Sequence, residues 1–257
     1  MWDSLSIQVF KSFCAESVVN KFLVPKDDLF IAGAEADAAF HLISGTVDYV
    51  QTPDSALVVE QSVVQVQKSV WICEAALWTH WIHVGTAQTE IPCQLLCVSA
   101  GGLMQTLSKH RLIQEVTAEY GRQFHRRVVS AGPPQTSWPT DIEVPFADYA
   151  EIVVGMSAEA RRVIGLNALQ HISAPKFQWS TSGQERVEAL EQEVLGGTST
   201  LLINSEGNTE RVVSVALIQI DGLDDDVFAQ VGRLRDGKRE AEVKLPGGKL
   251  RPDELPG

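Results

Sequence analysis

The sequence predicts an α+β protein, in which a β-roll with flanking helices is followed by a helical connector and an incomplete α/β portion. Three observations lead to this fold class. Short β-rich runs recur between residues 29 and 98, and apolar residues recur at helical spacing over 103–129. The stretch 131–139, Ala-Gly-Pro-Pro-Gln-Thr-Ser-Trp-Pro, is the clearest linker. We therefore predict three segments: 1–130, 131–195 and 196–257.

The first segment opens with a predicted helix over residues 4–22. Asp3 or Ser4 would cap its first turn, and Pro25 would end it because proline lacks an N–H and its ring clashes with a helix interior. The runs that follow alternate with glycine and with a Pro-Asp turn, as strands do. We predict strands over residues 29–31, 40–43, 46–50, 56–59 and 91–98.

The remaining elements follow the same rules. Apolar spacing predicts helices over 146–171 and 184–195, the second ending at Gly196 and Gly197. β-rich runs predict strands over 200–204, 212–220 and 227–231, and the acidic residues 221–226 are predicted to form a hairpin tip.

Composition excludes several classes of function. The 257 residues carry a formal net charge of −12, which argues against a nucleic-acid partner because phosphate binding needs a basic face. No apolar run approaches the roughly 18 residues that span a bilayer, and the first residues lack the features of a signal peptide. Four scattered cysteines suit a reducing compartment. We expect a cytoplasmic chain, free or on the cytoplasmic face of a membrane protein, with no membrane contact of its own.

The middle of the first segment carries a specific pattern. Residues 29–35 read Leu-Phe-Ile-Ala-Gly-Ala-Glu, and residues 40–47 read Phe-His-Leu-Ile-Ser-Gly-Thr-Val. Together with the order helix, β-roll, helix, this pattern resembles the cyclic-nucleotide-binding domain family. The resemblance implies a tight glycine turn at the middle of the roll and, further along, a short helix that is inserted between two strands and binds the cyclic phosphate.

That inserted helix has a recognisable counterpart here. The family pattern is Phe-Gly-Glu, two small or apolar residues, Leu, and an Arg nine residues after the Glu. Residues 72–78 read Ile-Cys-Glu-Ala-Ala-Leu-Trp, and a histidine stands nine residues after the glutamate. The resemblance implies that Glu74 accepts from a ribose hydroxyl and that the backbone amides of Ala75 and Ala76 bind the phosphate. It also implies that His83 stands at the arginine position and Val84 at the position after it.

The departures from the pattern concern the phosphate itself. Cys73 replaces the glycine that allows close approach of the backbone, and His83 cannot form the bidentate contact of an arginine. Three tryptophans, Trp71, Trp78 and Trp81, crowd the same region. We therefore expect binding of cyclic AMP or cyclic GMP to be weak or lost. An alternative left open is another anionic metabolite, with protonated His83 as a weaker clamp.

Residues 74–85 also look like a variant cassette found after the pore of some channel proteins of unicellular eukaryotes. This resemblance implies a protein partner or a parent channel-like protein. The sequence thus predicts a regulatory or interaction module that is not an enzyme and needs no cofactor. Histidine and cysteine spacing does not indicate a metal site.

The last segment offers a rival prediction. Residues 212–220, 227–233 and 243–249 look like the opening strands of a Nudix hydrolase, and Gly248 and Glu254 fit the first spacing of its motif. The helix that would hold magnesium with several carboxylates lies beyond residue 257. The alternative function is therefore a truncated Nudix-type phosphohydrolase acting on nucleoside-diphosphate-linked substrates. A plain Pro-Gly-Gly turn explains the same residues.

Overall fold

The structure is a computed structural model that describes residues 6–172, 181–204, 206–218, 230–235, 238–245 and 247–249. The chain divides into two compact units, Met1–Met156 and Ser157–Gly257. Residues 131–156, predicted as linker and connector, therefore lie within the first unit. Among the described helices, none is both long and apolar enough to cross a membrane.

The first helix is shorter than predicted. Helix α1 spans Ile7–Ser17, and the hydroxyl of Ser6 caps it by accepting from the N–H of Val9. The prediction of helix up to residue 22 is wrong, because Val18–Leu23 form strand β1. This strand pairs along its whole length with β10, Cys93–Ser99, and the ladder satisfies backbone groups that the helix would otherwise have satisfied.

Two four-stranded antiparallel sheets make the roll. Besides β1 and β10, their strands and the short strands beside them are β2 Asp28–Phe30, β3 Glu35–Ala36, β4 Ala38–Ser44, β5 Val47–Gln51, β6 Ser62–Val66, β7 Trp71–Ile72, β8 Trp81–Ile82 and β9 Thr86–Thr89. One sheet has the order β1-β10-β4-β7 and the other the order β2-β9-β5-β6, while β3 pairs with β8.

The core of the roll lies between the two sheets. The ring of Phe30, on one sheet, lies 6.3 Å from that of Phe40 on the other, and 6.5 Å from that of Tyr49 on its own sheet. Both sheets contribute fully buried side chains to this core, among them Leu42, Val47, Tyr49, Ile72 and Leu95. The β-roll with flanking helices is thus the observed architecture of this region.

One predicted strand is absent. Residues 53–55 form a turn and residues 56–59 contain bends, and the next strand is β6 instead. The chain turns here because the carbonyl of Thr52 accepts from the N–H groups of both Ser55 and Ala56. Leu57 and Val59, which suggested a strand by their apolar character, are exposed to solvent.

The helix predicted over 103–129 is two helices, α2 Ala100–Ser108 and α3 Arg111–Ser130. They are separated at Lys109 and His110, whose N–H groups bond to carbonyls three residues back and so tighten the turn. Helices α1, α2 and α3 share a core with strand β10, made by Val9, Phe13, Val98, Leu103, Leu107 and Ile113.

The segment after α3 runs back over the roll. It ends in helix α4, Tyr149–Val154, which Asp148 caps by accepting from the N–H of Glu151. The guanidinium of Arg127, on α3, donates to the carbonyls of Phe146 and Glu151 and so ties this segment to the helix. The helix predicted over 146–171 is therefore interrupted after Val154.

The second unit begins with helices α5, Ala158–Ile172, and α6, Thr181–Leu195. They pack with strand β11, Thr200–Ile203, through Ala168, Leu169, Val194 and Leu201. The strands are β11 Thr200–Ile203, β12 Thr209–Val212, β13 Val215–Leu217, β14 Gln230–Arg235, β15 Lys238–Lys244 and β16 Gly247–Lys249, paired as β11-β12, β13-β16 and β14-β15. The acidic tip predicted at 221–226 and the Nudix residue Glu254 lie outside the described residues, whereas Gly248 lies in β16.

Candidate anion-binding site

A short 3₁₀ helix, Glu74–Leu77, lies between β7 and β8, where the family resemblance implies an inserted helix. Cys73 precedes it with φ of 60° and ψ of 37°, a left-handed conformation that favours glycine. The backbone thus has the geometry for which the family uses glycine, although the residue is cysteine. The N–H of Ala76 bonds to the carbonyl of Cys73 at 3.2 Å, so one of the two predicted phosphate amides closes this turn.

An aspartate from outside the roll occupies the space beside this helix. Asp141 comes from the segment between α3 and α4, and only 2% of its surface is exposed. Its Oδ1 accepts from the indole Nε1 of Trp81 at 2.8 Å and from Nδ1 of His83 at 2.7 Å. Because a carboxylate accepts, the proton of this imidazole is assigned to Nδ1.

The second carboxylate oxygen is equally well satisfied. Oδ2 of Asp141 accepts from the hydroxyl of Tyr49 at 2.8 Å. It also accepts from the backbone N–H groups of Val84 and Gly85, each at 3.0 Å. Five donors therefore surround one carboxylate, and two of them are consecutive main-chain amides of the kind that bind anions.

The main chain of Asp141 is bound as well. Its carbonyl accepts from the N–H of Cys73, and its N–H donates to the hydroxyl oxygen of Tyr49 at 3.3 Å. The residue is therefore fastened to strand β5, to strand β8, to the loop after β8 and to the start of the 3₁₀ helix.

Gly85 and Tyr49 are matched to each other at this site. A Cβ placed on Gly85 would lie 2.4 Å from the ring of Tyr49, so only glycine lets the ring and the amide reach the same carboxylate. Burial, followed by the negative charge of Asp141, raises the pKa of Tyr49 above its ordinary value. The phenol therefore stays protonated and remains a donor throughout the physiological range.

His83 is held in place by three kinds of contact. Its ring stacks on Phe30 with centroids 3.8 Å apart and an angle of 4° between the planes. Its backbone bonds in both directions, donating to the carbonyl of Ala34 and accepting from the N–H of Gly33. With 4% of its surface exposed, His83 can contact Asp141 but has little contact with solvent.

Three of these side chains could in principle hold a metal ion. The ligand atoms of Cys73, His83 and Asp141 lie within 4.8 Å of one another. Burial, and then the charge of Asp141, raises the pKa of the Cys73 thiol, which disfavours the thiolate that metals bind. Both oxygens of Asp141 already accept from N–H or O–H donors, so the geometry fits a hydrogen-bond network.

The predicted site residues thus fall into two groups. His83 and Val84 donate to the carboxylate of Asp141, whereas the hydrogen bonds described for Ala75, Ala76 and Glu74 go to other groups. Glu74 is half-buried, accepts from the indole of Trp78 at 3.4 Å, and has its pKa raised by burial.

Sequence reasoning missed Asp141 together with Tyr49, Trp81 and Gly85 as its donors. No local pattern marks Asp141, which follows a proline-rich stretch and is separated from Tyr49 by 92 residues. One indirect signal was present: a pocket with anion donors but no arginine needs another way to satisfy those donors.

Comparisons with known proteins give structural matches alone. No protein-family model matches the chain, and no curated protein matches it. A cyclic nucleotide-binding-like protein from Brucella abortus is 18% identical, with a TM-score of 0.36 over 42% of this chain and 89% of that one. The sensor domain of the transcriptional regulator DNR from Pseudomonas aeruginosa is 22% identical, with a TM-score of 0.36 over 51% and 91%.

A further match is the C-linker/CNBHD of zELK channels, 17% identical with a TM-score of 0.37, over 44% of this chain and 55% of that one. Structural neighbours of the chain therefore include cyclic-nucleotide-binding-like domains at low identity, matched over about half of its length. These comparisons do not support the Nudix-like segment.

Proposed function

We propose that the first unit is a regulatory or interaction module of cyclic-nucleotide-binding-like fold whose anion pocket is occupied by its own Asp141. The observation that carries this proposal is the set of five donors on one buried carboxylate. The module would act through contacts with other protein surfaces, without catalysis and without a bound cofactor.

A carboxylate can stand in for a phosphate because both are anions that accept several N–H and O–H donors. Here two backbone amides, an indole, an imidazole and a phenol supply those donors. Among the contacts described for the two oxygens of Asp141, none comes from an arginine or a lysine. The pocket is therefore satisfied by a singly charged group and lacks the guanidinium that would favour a phosphodiester.

A soluble nucleotide would have to displace Asp141 to reach these donors. Displacement breaks five hydrogen bonds at once, and Asp141 is present in every chain at a fixed, high local concentration. We infer that cyclic AMP and cyclic GMP bind weakly or not at all.

The test is chemical rescue of a variant that lacks the carboxylate. Asp141→Ala vacates the pocket, and acetate is the anion that most closely resembles the missing side chain. We expect added acetate to raise the melting temperature of Asp141→Ala more than acetamide does, and to leave the unmodified chain unchanged. Glu143→Ala, an exposed acid two residues away, is the matched control and should not respond.

Cyclic nucleotides complete the test. Calorimetric titration of the unmodified chain with cyclic AMP and cyclic GMP should give no binding at micromolar concentration. Micromolar binding would overturn the proposal, and so would an Asp141→Ala variant that acetate does not stabilise.

Two further predictions concern a channel-like parent protein and a Nudix-type hydrolase. A channel-like parent rests on the resemblance of residues 74–85, and membrane-spanning segments in the flanking reading frame would support it. The Nudix alternative requires an Arg-Glu and Glu-Glu helix shortly after Glu254, and reading the same frame tests it directly.

A further inference from the structure

A cavity next to the 3₁₀ helix, the aromatic cavity, is lined also by residues of helices α1, α2, α3 and α4. Its volume is about 410 Å³. Five aromatic residues line it, together with three aliphatic side chains and one charged group, Glu74. The aromatic residues are Phe13, Trp71, Trp78, Tyr120 and Tyr149.

The rings are held by packing against one another. The centroids of Trp78 and Tyr120 lie 4.9 Å apart with their planes at 55°, and those of Tyr120 and Tyr149 lie 6.2 Å apart at 32°. They come from the end of the 3₁₀ helix, from α3 and from α4, three separate elements. The aromatic wall is therefore built before any ligand arrives, which lowers the entropic cost of binding.

Glu74 is the charged group of this wall. Its Oε1 accepts one long hydrogen bond, 3.4 Å from the indole nitrogen of Trp78. None of the ion pairs described for the chain involves Glu74. Burial raises the pKa of this carboxyl, and the causes of that shift include no neighbouring cation.

The surroundings of Glu74 add further negative charge. An adjoining cavity of about 270 Å³ shares Trp71 and Glu74 with the aromatic cavity. Asp141, Glu143 and Asp148 also line it, and no lysine or arginine is among its lining residues. A positive group near Glu74 would thus be attracted by more than one carboxylate.

We propose that the aromatic cavity binds a small organic ammonium group, with its cation against the rings and Glu74 as counter-ion. Aromatic faces attract cations within about 6 Å of the ring centroid, and a nearby carboxylate strengthens the attraction. A hard metal cation fits poorly, because such ions need several oxygen ligands and the wall offers one carboxylate. This site is independent of the proposed occupancy of the anion pocket.

The test compares two ligands of nearly identical shape. Choline carries a quaternary ammonium, and 3,3-dimethylbutan-1-ol replaces the nitrogen by carbon. We expect choline to bind the full chain at millimolar concentration, measured by calorimetry and by the fluorescence of the tryptophans, and the neutral alcohol to bind roughly tenfold more weakly.

Glu74→Gln keeps the shape of the side chain and removes its charge. It should weaken choline binding roughly tenfold and bring the two ligands close to parity. Glu60→Gln, at an exposed acid that lines neither cavity, is the matched control and should leave choline binding unchanged. Circular dichroism of both variants would check that they are folded.

Three outcomes would overturn the proposal. The first is that the unmodified chain does not bind choline at millimolar concentration, and the second is that it binds both ligands equally. The third is that the Glu74→Gln variant binds choline as strongly as the unmodified chain does. None of these results affects the rescue of Asp141→Ala by acetate, because choline has no carboxylate. The failure of one proposal can therefore be distinguished from the failure of the other.

Discussion

At the scale of single residues, Asp141 determines the character of the site. Exchanging it for asparagine keeps the volume but replaces an acceptor oxygen by an NH₂ group that faces other donors. We expect Asp141→Asn to lower the free energy of unfolding by about 3 kcal/mol. Urea unfolding at neutral pH measures this loss, with Glu143→Gln as control. A loss below about 1 kcal/mol would mean that the network contributes little to stability.

Gly85 tests the same network from the backbone side. Gly85→Ala places a methyl group 2.4 Å from the ring of Tyr49 and must push either the ring or the amide away from Asp141. We expect a loss of about 2 kcal/mol in unfolding free energy. Gly101→Ala is the matched control, because its Cβ would meet its nearest atom at 3.8 Å and alanine favours helix α2. Equal stability of the two variants would contradict the crowding at Gly85.

At the scale of elements, the segment between α3 and α4 depends on Arg127. This guanidinium donates to the carbonyls of Phe146 and Glu151 and also to the side chain of Gln123. Arg127→Ala should raise amide hydrogen exchange roughly tenfold in residues 146–154, since the contact that ties them to α3 is lost. Arg126→Ala, at the exposed residue next to Arg127, is the control and should leave amide hydrogen exchange unchanged. Unchanged exchange in both variants would contradict the role of Arg127 in holding the segment.

Local sequence patterns predicted most elements, but they failed where contacts between distant residues determine the structure. The turn at Gly45 and the strands around it follow from short-range patterns, the position of the 3₁₀ helix follows from the family resemblance, and the structure has them there. Residues 18–22 satisfy a helical pattern equally well, and only their pairing with β10 makes them a strand. Asp141 lay beyond prediction for a similar reason: nothing local in residues 139–143 indicates a partner 92 residues away.

At the scale of the whole molecule, the raised pKa of Glu74 makes stability depend on pH. Burial raises this pKa above the ordinary 4.5, so the folded chain keeps a proton that the unfolded chain has already released. The contribution of Glu74 to the unfolding free energy therefore falls as pH rises from 4.5 to the folded-state value, and then stays level. Glu74→Gln lacks this penalty.

The stability of Glu74→Gln relative to the unmodified chain should accordingly increase over that window and reach a plateau above it. Urea unfolding at a series of pH values from about 4.5 to 8 measures this difference. Glu143→Gln is again the matched control. A difference between Glu74→Gln and the unmodified chain that is the same at every pH would rule out the raised pKa.

The tethering of Asp141 also fixes the stoichiometry of the pocket. Each chain is synthesised with one occupant of its own, so changes in metabolite level cannot alter the filled fraction as they would for a free ligand. The carboxylate can leave the pocket only if its own main chain moves with it, within the twelve-residue span from Ser130 to Asp141. The filled fraction therefore depends on the conformation of that segment and does not depend on the concentration of a free ligand.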